Sequence, residues 1–227
     1  MMSPEMSDER ENIRRFSVYR IIEHLALILL FVVLAATGLS QKFYTLGISQ
    51  SIILALGGID TTRVLHHLAA VLFTVLTFQH ILVNVIGIIF EQWDTSMLVS
   101  FKDAQDAVHN VRYYLGMAEQ PARGGRYSYK EKFIYWLILL GGIQQILTGF
   151  ILWFPVVTTK YLPGQFIPAA KVVHTNEAML IFLLVGIWHI YDSMFSPEVF
   201  PLNKSIFTGY AHKSQIEQAN NSGKHTG

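Results

Sequence analysis

Four stretches of the chain are apolar for long enough to cross a hydrocarbon core, which takes about 20 residues of helix. They run at roughly 17–40, 62–90, 132–155 and 171–195. A shorter apolar run, Ile48–Ile59, cannot span and is expected to lie at the outer interface. Over 97–116 the pattern changes to Val99, Ala104, Ala107, Val108 and Val111 interspersed with Lys102, Asp103, Asp106 and Arg112. That spacing predicts an amphipathic helix lying on the inner membrane surface. Pro121–Gly125 reads as a loop, and the polar tail after Tyr210 as disordered. The expected fold is all-α: an integral membrane four-helix bundle over 17–195, flanked by tails 1–16 and 196–227.

Composition agrees with a bilayer. Of 227 residues, 52% are hydrophobic and 15% charged, where a soluble domain carries about a quarter charged residues. A net charge of +1 offers no electrostatic footprint for nucleic acid. The tail Met1–Arg15 holds Glu5, Asp8, Glu9 and Glu11 and lacks a cationic n-region. It does not read as a cleavable signal, so the first helix is expected to be retained. Of the 17 Lys and Arg residues, Lys42, Arg63, Lys160 and Lys171 fall on one side of the membrane and the rest on the other. The richer side faces the cytoplasm, which puts both termini there and the chain in the inner membrane. Zero cysteines exclude disulfides, cysteine-ligated zinc, iron–sulfur clusters and covalently attached c-type haem.

The chemistry then falls to the histidines. His24, His66, His80, His174 and His189 lie within the spans, where an ionisable group is a candidate functional residue. An internal repeat relates them. Arg63-x-x-His66 is followed by Ala70 and then Gln79-His80-Ile81; Lys171-x-x-His174 is followed by Ala178 and then Trp188-His189-Ile190. Thr37-Gly38 in the first helix matches Thr148-Gly149 in the third, so the chain reads as two pseudo-repeated helical hairpins. His80 and His189 come 14 and 15 residues after His66 and His174. That is close to four turns, about 21 Å along one helix face. His24 falls at the depth of His80 and His189. Two layers of imidazoles facing the bundle interior predict two bis-histidine haem sites stacked across the bilayer. Arg63 and Lys171, one turn before the outer histidines, are placed to meet haem propionates. A lone membrane histidine is more often a satisfied interhelical hydrogen bond, but two pairs at near-equal spacing are harder to read that way. His109, His212 and His225 fall outside the spans and read as solvated.

These residues resemble the di-haem cytochrome b (gamma) subunits of membrane-bound formate dehydrogenases and nickel–iron hydrogenases, nearest to members found alongside multihaem c-type cytochromes. The likeness runs from Arg20 to Gly209. It rests on Arg20…His24 with Thr37-Gly38-Leu39, on Arg63-x-x-His66, and on Arg126-Tyr-Ser-Tyr-Lys-Glu-Lys132 with Trp136. It continues through Thr148-Gly149…Leu152-Trp153, His174-Thr-Asn-Glu-Ala178, Trp188-His-Ile-Tyr191 and Ser196-Pro-Glu-Val-Phe-Pro201. The resemblance implies that His66 and His174 hold an outer haem b, that His24 and His189 hold an inner one, and that Arg20 meets a propionate. The departure is His80, which internal symmetry pairs with His189 instead; the repeat puts Tyr135 where His24 sits, so the third helix offers no matching ligand. The resemblance also implies a quinone, menaquinone or ubiquinone, near Tyr127, Ser128, Tyr129 and Glu131. Ser128 stands where the family has an Asn.

The chain is thus expected to pass electrons across the membrane between an extracytoplasmic redox partner and the quinone pool, as one subunit of a respiratory oxidoreductase and not as a stand-alone enzyme. An iron–sulfur or multihaem cytochrome c subunit and a catalytic subunit are the implied partners. The rival reading is a four-helix proton channel or transporter using Glu23, His80, Glu177 and His189 as a relay. The nearly apolar stretch between the two histidine layers counts against it.

Overall fold

The computed structural model describes residues 12–14, 16–90, 93, 95–122, 127–195, 200, 202 and 204–212. The loop residues 123–125, Arg126, the 196–199 part of the last motif and the tail beyond 212 lie outside the described residues.

Four helices are long and apolar enough to cross a membrane. They are α1 (Val18–Lys42), α3 (Ile59–Phe90), α5 (Tyr129–Trp153) and the helix Phe166–Phe195. The last starts as α7 (Phe166–Leu183) and continues in π-helical turns at Leu184–His189 and Tyr191–Phe195. The apolar run between α1 and α3 forms the short α2 (Gly47–Ala55), and the amphipathic stretch forms α4 (Phe101–Tyr114). Two short helices, α6 (Pro155–Tyr161) and α8 (Ser205–Thr208), complete the helical set among the described residues.

Local chemistry sets the boundaries. α5 starts at Tyr129, three residues earlier than hydropathy suggests, because Ser128 and Glu131 close a capping box. Ser128 donates from N (2.8 Å) and Oγ (3.1 Å) to Glu131 Oε2, and Glu131 N donates to Ser128 Oγ (3.3 Å). α4 has the same device in Ser100 and Asp103. α3 follows Gly57 and Gly58, whose φ values of 90° and 101° suit only glycine without strain. Pro155 takes the first position of α6, where its missing N–H costs no helical bond.

The chain forms two compact units, one of Met1–Ile22, Gly87–Trp136 and His189–Gly227, the other of Glu23–Ile86 and Leu137–Trp188. In the first, β1 (Asn12–Arg14) pairs antiparallel with β2 (Tyr210–His212), in the register Asn12↔His212, Ile13↔Ala211 and Arg14↔Tyr210. The start of the tail expected to be disordered after Tyr210 is therefore held by main-chain bonds. Phe16 N adds a bond to Gly209 O (3.1 Å). α4 turns its polar stripe toward α5: Asn110 Nδ2 donates to Tyr129 Oη (3.2 Å), and Lys132 Nζ donates to Asp103 (2.9 Å) and to Leu98 O (3.1 Å). Trp136 Nε1 donates to Met97 O (3.0 Å). Phe101, Val108, Val111 and Leu115, on the other face of α4, are exposed.

In the second unit all four long helices meet. Phe31 of α1 stacks on Phe182 of α7, Gly142 of α5 approaches Phe73 of α3, and Gly141 approaches Ile181 of α7. Burial is inverted relative to a soluble protein. Thr37, Ser40, Thr62, Ala69, Thr148 and Ala170 are buried, while Leu29, Phe78, Leu147 and Leu180 are exposed. Small residues let helices approach where lipid, not water, covers the outside.

Candidate functional site

The repeat produces one geometry twice, both copies within the second unit. Thr37 on α1 lies 2.8 Å (Oγ1) from His66 Nδ1 on α3, and Thr148 on α5 lies 3.0 Å from His174 Nδ1 on α7. A hydroxyl has one proton to give. Thr37 Oγ1 donates it to its own helix at Val33 O (2.7 Å), with Leu34 O at 3.3 Å, and Thr148 Oγ1 does the same to Gln144 O (2.7 Å), with Gln145 O at 3.3 Å. Each hydroxyl therefore accepts from its imidazole. Nδ1 carries the ring proton, and Nε2 keeps its lone pair on both rings.

The glycine after each threonine admits the ring. A Cβ on Gly38 would lie 3.2 Å from His66 Cε1, and one on Gly149 would lie 3.3 Å from His174 Cε1. His66 and His174 meet with ring centroids 6.5 Å apart at an interplanar angle of 79°. Two imidazoles on opposite sides of one iron, with metal–nitrogen bonds of about 2 Å, would have centroids about 6 Å apart. The pair thus fits a haem iron in spacing, in tautomer and in its anchored Nδ1 atoms.

Other groups frame this pair. Gln145 Nε2 donates to His174 O (3.1 Å) and to Glu177 Oε2 (3.3 Å). His67 stacks on Trp153 at 4.2 Å. Lys42 Nζ donates to Asn176 Oδ1 (3.0 Å). Arg63 is exposed and paired with Asp60 (3.4 Å), and Lys171 is exposed.

A second group forms in the same unit where α1 and α3 meet. His80 Nδ1 lies 2.9 Å from Glu23 Oε1, and Asn84 Nδ2 donates to His80 O (2.6 Å). His24, next to Glu23, has its Nδ1 sealed from solvent. His80 thus has an oriented ring, and His24 is half-buried with its Nδ1 atom covered. His189, in the first unit, ends a π-helical turn, and its carbonyl accepts from Ser193 Oγ (2.6 Å). A π turn holds one residue more than an α turn, so the extra residue of the second repeat, 15 against 14, is taken up there. π turns frequently mark functional positions.

The remaining candidates also lie in the first unit. Arg20 packs its guanidinium over Trp93 (5.7 Å) and Tyr19 (5.6 Å). Ser128 and Glu131 form the cap of α5, Tyr129 Oη accepts from Asn110, and Tyr127 is half-buried. Sequence reasoning missed three roles here. The threonines act as imidazole acceptors, for which the repeated Thr-Gly was the available signal. Glu23 is the direct partner of His80, which the sequence had brought together only as members of the rival proton relay. Ser128–Glu131 is a capping box, spelled out as S-x-x-E.

The family described as prokaryotic cytochrome b561 matches residues 15–209. No curated protein matches the chain. The match takes in all four membrane-length helices and both threonine–histidine pairs, and the chain belongs to the prokaryotic cytochrome b561 family, a multi-pass integral membrane haem b protein of electron transfer in the prokaryotic inner membrane.

Proposed function

We propose that the chain is the di-haem cytochrome b subunit of a larger respiratory oxidoreductase, of the formate dehydrogenase and hydrogenase kind, carrying electrons between an extracytoplasmic redox partner and the quinone pool. The observation that carries this is the His66–His174 pair, with ring centroids 6.5 Å apart and each Nδ1 tied to a threonine. Both Nε2 lone pairs are available to one haem b. The second haem b falls to His189 with His24, with His80 as the alternative. Haem iron bound this way supplies reversible one-electron chemistry.

The chain's own residues bind, orient and insulate. Threonines fix the rings, glycines seat them, and the apolar helices hold the site in a low dielectric. Arg63, Lys171 and Arg20 serve the propionates. Lys171 is a solvated side chain, Arg63 is exposed but must leave Asp60, and Arg20 must leave its aromatic contacts. A menaquinone or ubiquinone contacts the segment Tyr127, Ser128, Tyr129 and Glu131. Glu131 and Ser128 also form the helix cap, and Tyr129 Oη accepts from Asn110, so a quinone carbonyl would share these groups with the protein's own bonds. Both termini face the cytoplasm, with a tail before residue 17 and another after 195. The partners are an iron–sulfur or multihaem cytochrome c subunit and a catalytic subunit.

A reduced-minus-oxidised spectrum with a pyridine haemochrome assay tests this. About two low-spin b haems per chain are expected, for two bis-histidine sites, with His66→Ala and His174→Ala each losing the same one. A colourless wild type, with haem supplied during expression, would sink the reading and promote a proton relay through Glu23–His80. His24→Ala against His80→Ala then decides the second site.

A further inference from the structure

We infer that Thr37 and Thr148 are positioning residues that set the electron-donating strength of the two imidazoles, and through them the reduction potential of one haem; this rests on the His66–His174 reading above. In each repeat the bonds form a directed chain, running from Nδ1–H to Oγ1 and from Oγ1–H to the main-chain carbonyl of Val33 or Gln144. Each hydroxyl is already polarised as a donor, which makes it a stronger acceptor. A stronger acceptor at Nδ1 draws the ring proton outward and makes Nε2 more basic. More basic axial nitrogens favour the oxidised iron, so both threonines act to lower the potential.

The two copies would add in the same sense, since each acts on one of the two imidazoles that would hold the same iron. The arrangement is rigid. Thr37 is 2% exposed and Thr148 9%, each hydroxyl has two carbonyls of its own helix within reach, and the adjacent glycines leave the rings no slack. A threonine of purely structural use would need only its back-bond to the helix. Here the same oxygen meets a histidine nitrogen on the next helix at 2.8 and 3.0 Å, in both repeats.

The experiment is a redox titration of the purified full chain, with electron paramagnetic resonance of the oxidised haems, for Thr37→Val, Thr148→Val and the matching serine variants. Each valine variant should raise the midpoint of the haem that is lost in His66→Ala, shift that haem's g-values, and leave the other haem unmoved. The double variant should shift further. Thr37→Ser and Thr148→Ser, which keep the oxygen, should titrate as wild type. Loss of that haem in a valine variant, with retention in the serine one, also supports the role of the hydroxyl.

Unchanged potentials in haem-loaded valine variants would overturn the inference. So would serine variants that behave as valine, or a shift confined to the other haem. A wild type that binds two haems while His66→Ala keeps both would instead overturn the ligand reading, and a haem-free wild type would overturn both.

Discussion

A methyl group is the smallest perturbation the His66–His174 pair can receive, and Gly38 and Gly149 are where it can be delivered. Gly38→Ala or Gly149→Ala puts a Cβ 3.2 or 3.3 Å from the facing Cε1, so the ring must shift by a few tenths of an ångström. The helix itself gains about 0.5–1 kcal/mol from the change. Haem affinity at that site is therefore expected to fall by about tenfold while thermal stability of the haem-free chain stays level or rises. Haem titration and melting curves on one preparation check both. The histidines themselves were legible because a membrane makes every polar group conspicuous. The threonines were not, since a threonine bonded to its own helix is as acceptable in lipid as an apolar residue, and pattern alone does not tell which hydroxyl meets a ring.

Among the elements, α4 and α5 show how charge anchors a surface helix. Lys132 and Asp103 are nearly buried at 2.9 Å, and the Ser100 backbone and hydroxyl also donate to the Asp103 carboxylate. Burial works to raise the Asp103 carboxyl, but the bonds from Lys132 and Ser100 and the Lys132 charge together hold it below the usual carboxylate range. A carboxyl held low in the folded state contributes stability above its unfolded value, and that contribution is lost as the pH falls through the folded value. Protection of the Phe101–Tyr114 amides, measured against their intrinsic exchange rates, is thus expected to fall below about pH 4. Asp103→Asn should show quick exchange already at neutral pH, with a local loss of about 3 kcal/mol from breaking a buried pair, and no acid step. In α5, Ser128→Ala should cost about 1 kcal/mol and Ser128→Thr almost nothing, read from unfolding in mild detergent. The helix was visible from its spacing, yet Asp103 and Asn110 of its polar stripe face protein rather than water. Amphipathic periodicity gives the stripe and not its partner. The π turns left only the 15-against-14 spacing as a trace, because they are a matter of main-chain bonding.

At the scale of the molecule, large apolar side chains outside and small or hydroxylated ones inside require lipid around the bundle. Such a surface was readable from hydropathy, and the four spans follow from it. Which side faces the cytoplasm rests on Lys and Arg placement. The chain has no cysteine, so single cysteines report sidedness without background. In intact cells an impermeant maleimide is expected to label Lys160→Cys and not Lys102→Cys. The reverse result would invert the topology and move the partner to the other face.

The short ladder between Asn12–Arg14 and Tyr210–His212 has a consequence for chain order. It lays the approach to the first helix beside the segment that follows the last, so the path through the four helices is open covalently and nearly closed in space. A bundle of this kind tolerates circular permutation. A linker of about three residues joining the two strands, with the chain reopened between Met117 and Ala122, would place the second hairpin before the first. Such a permutant is expected to insert and take up haem in wild-type proportion, since the threonine–histidine contacts lie within each hairpin and depend on neither which hairpin is made first nor where the chain starts.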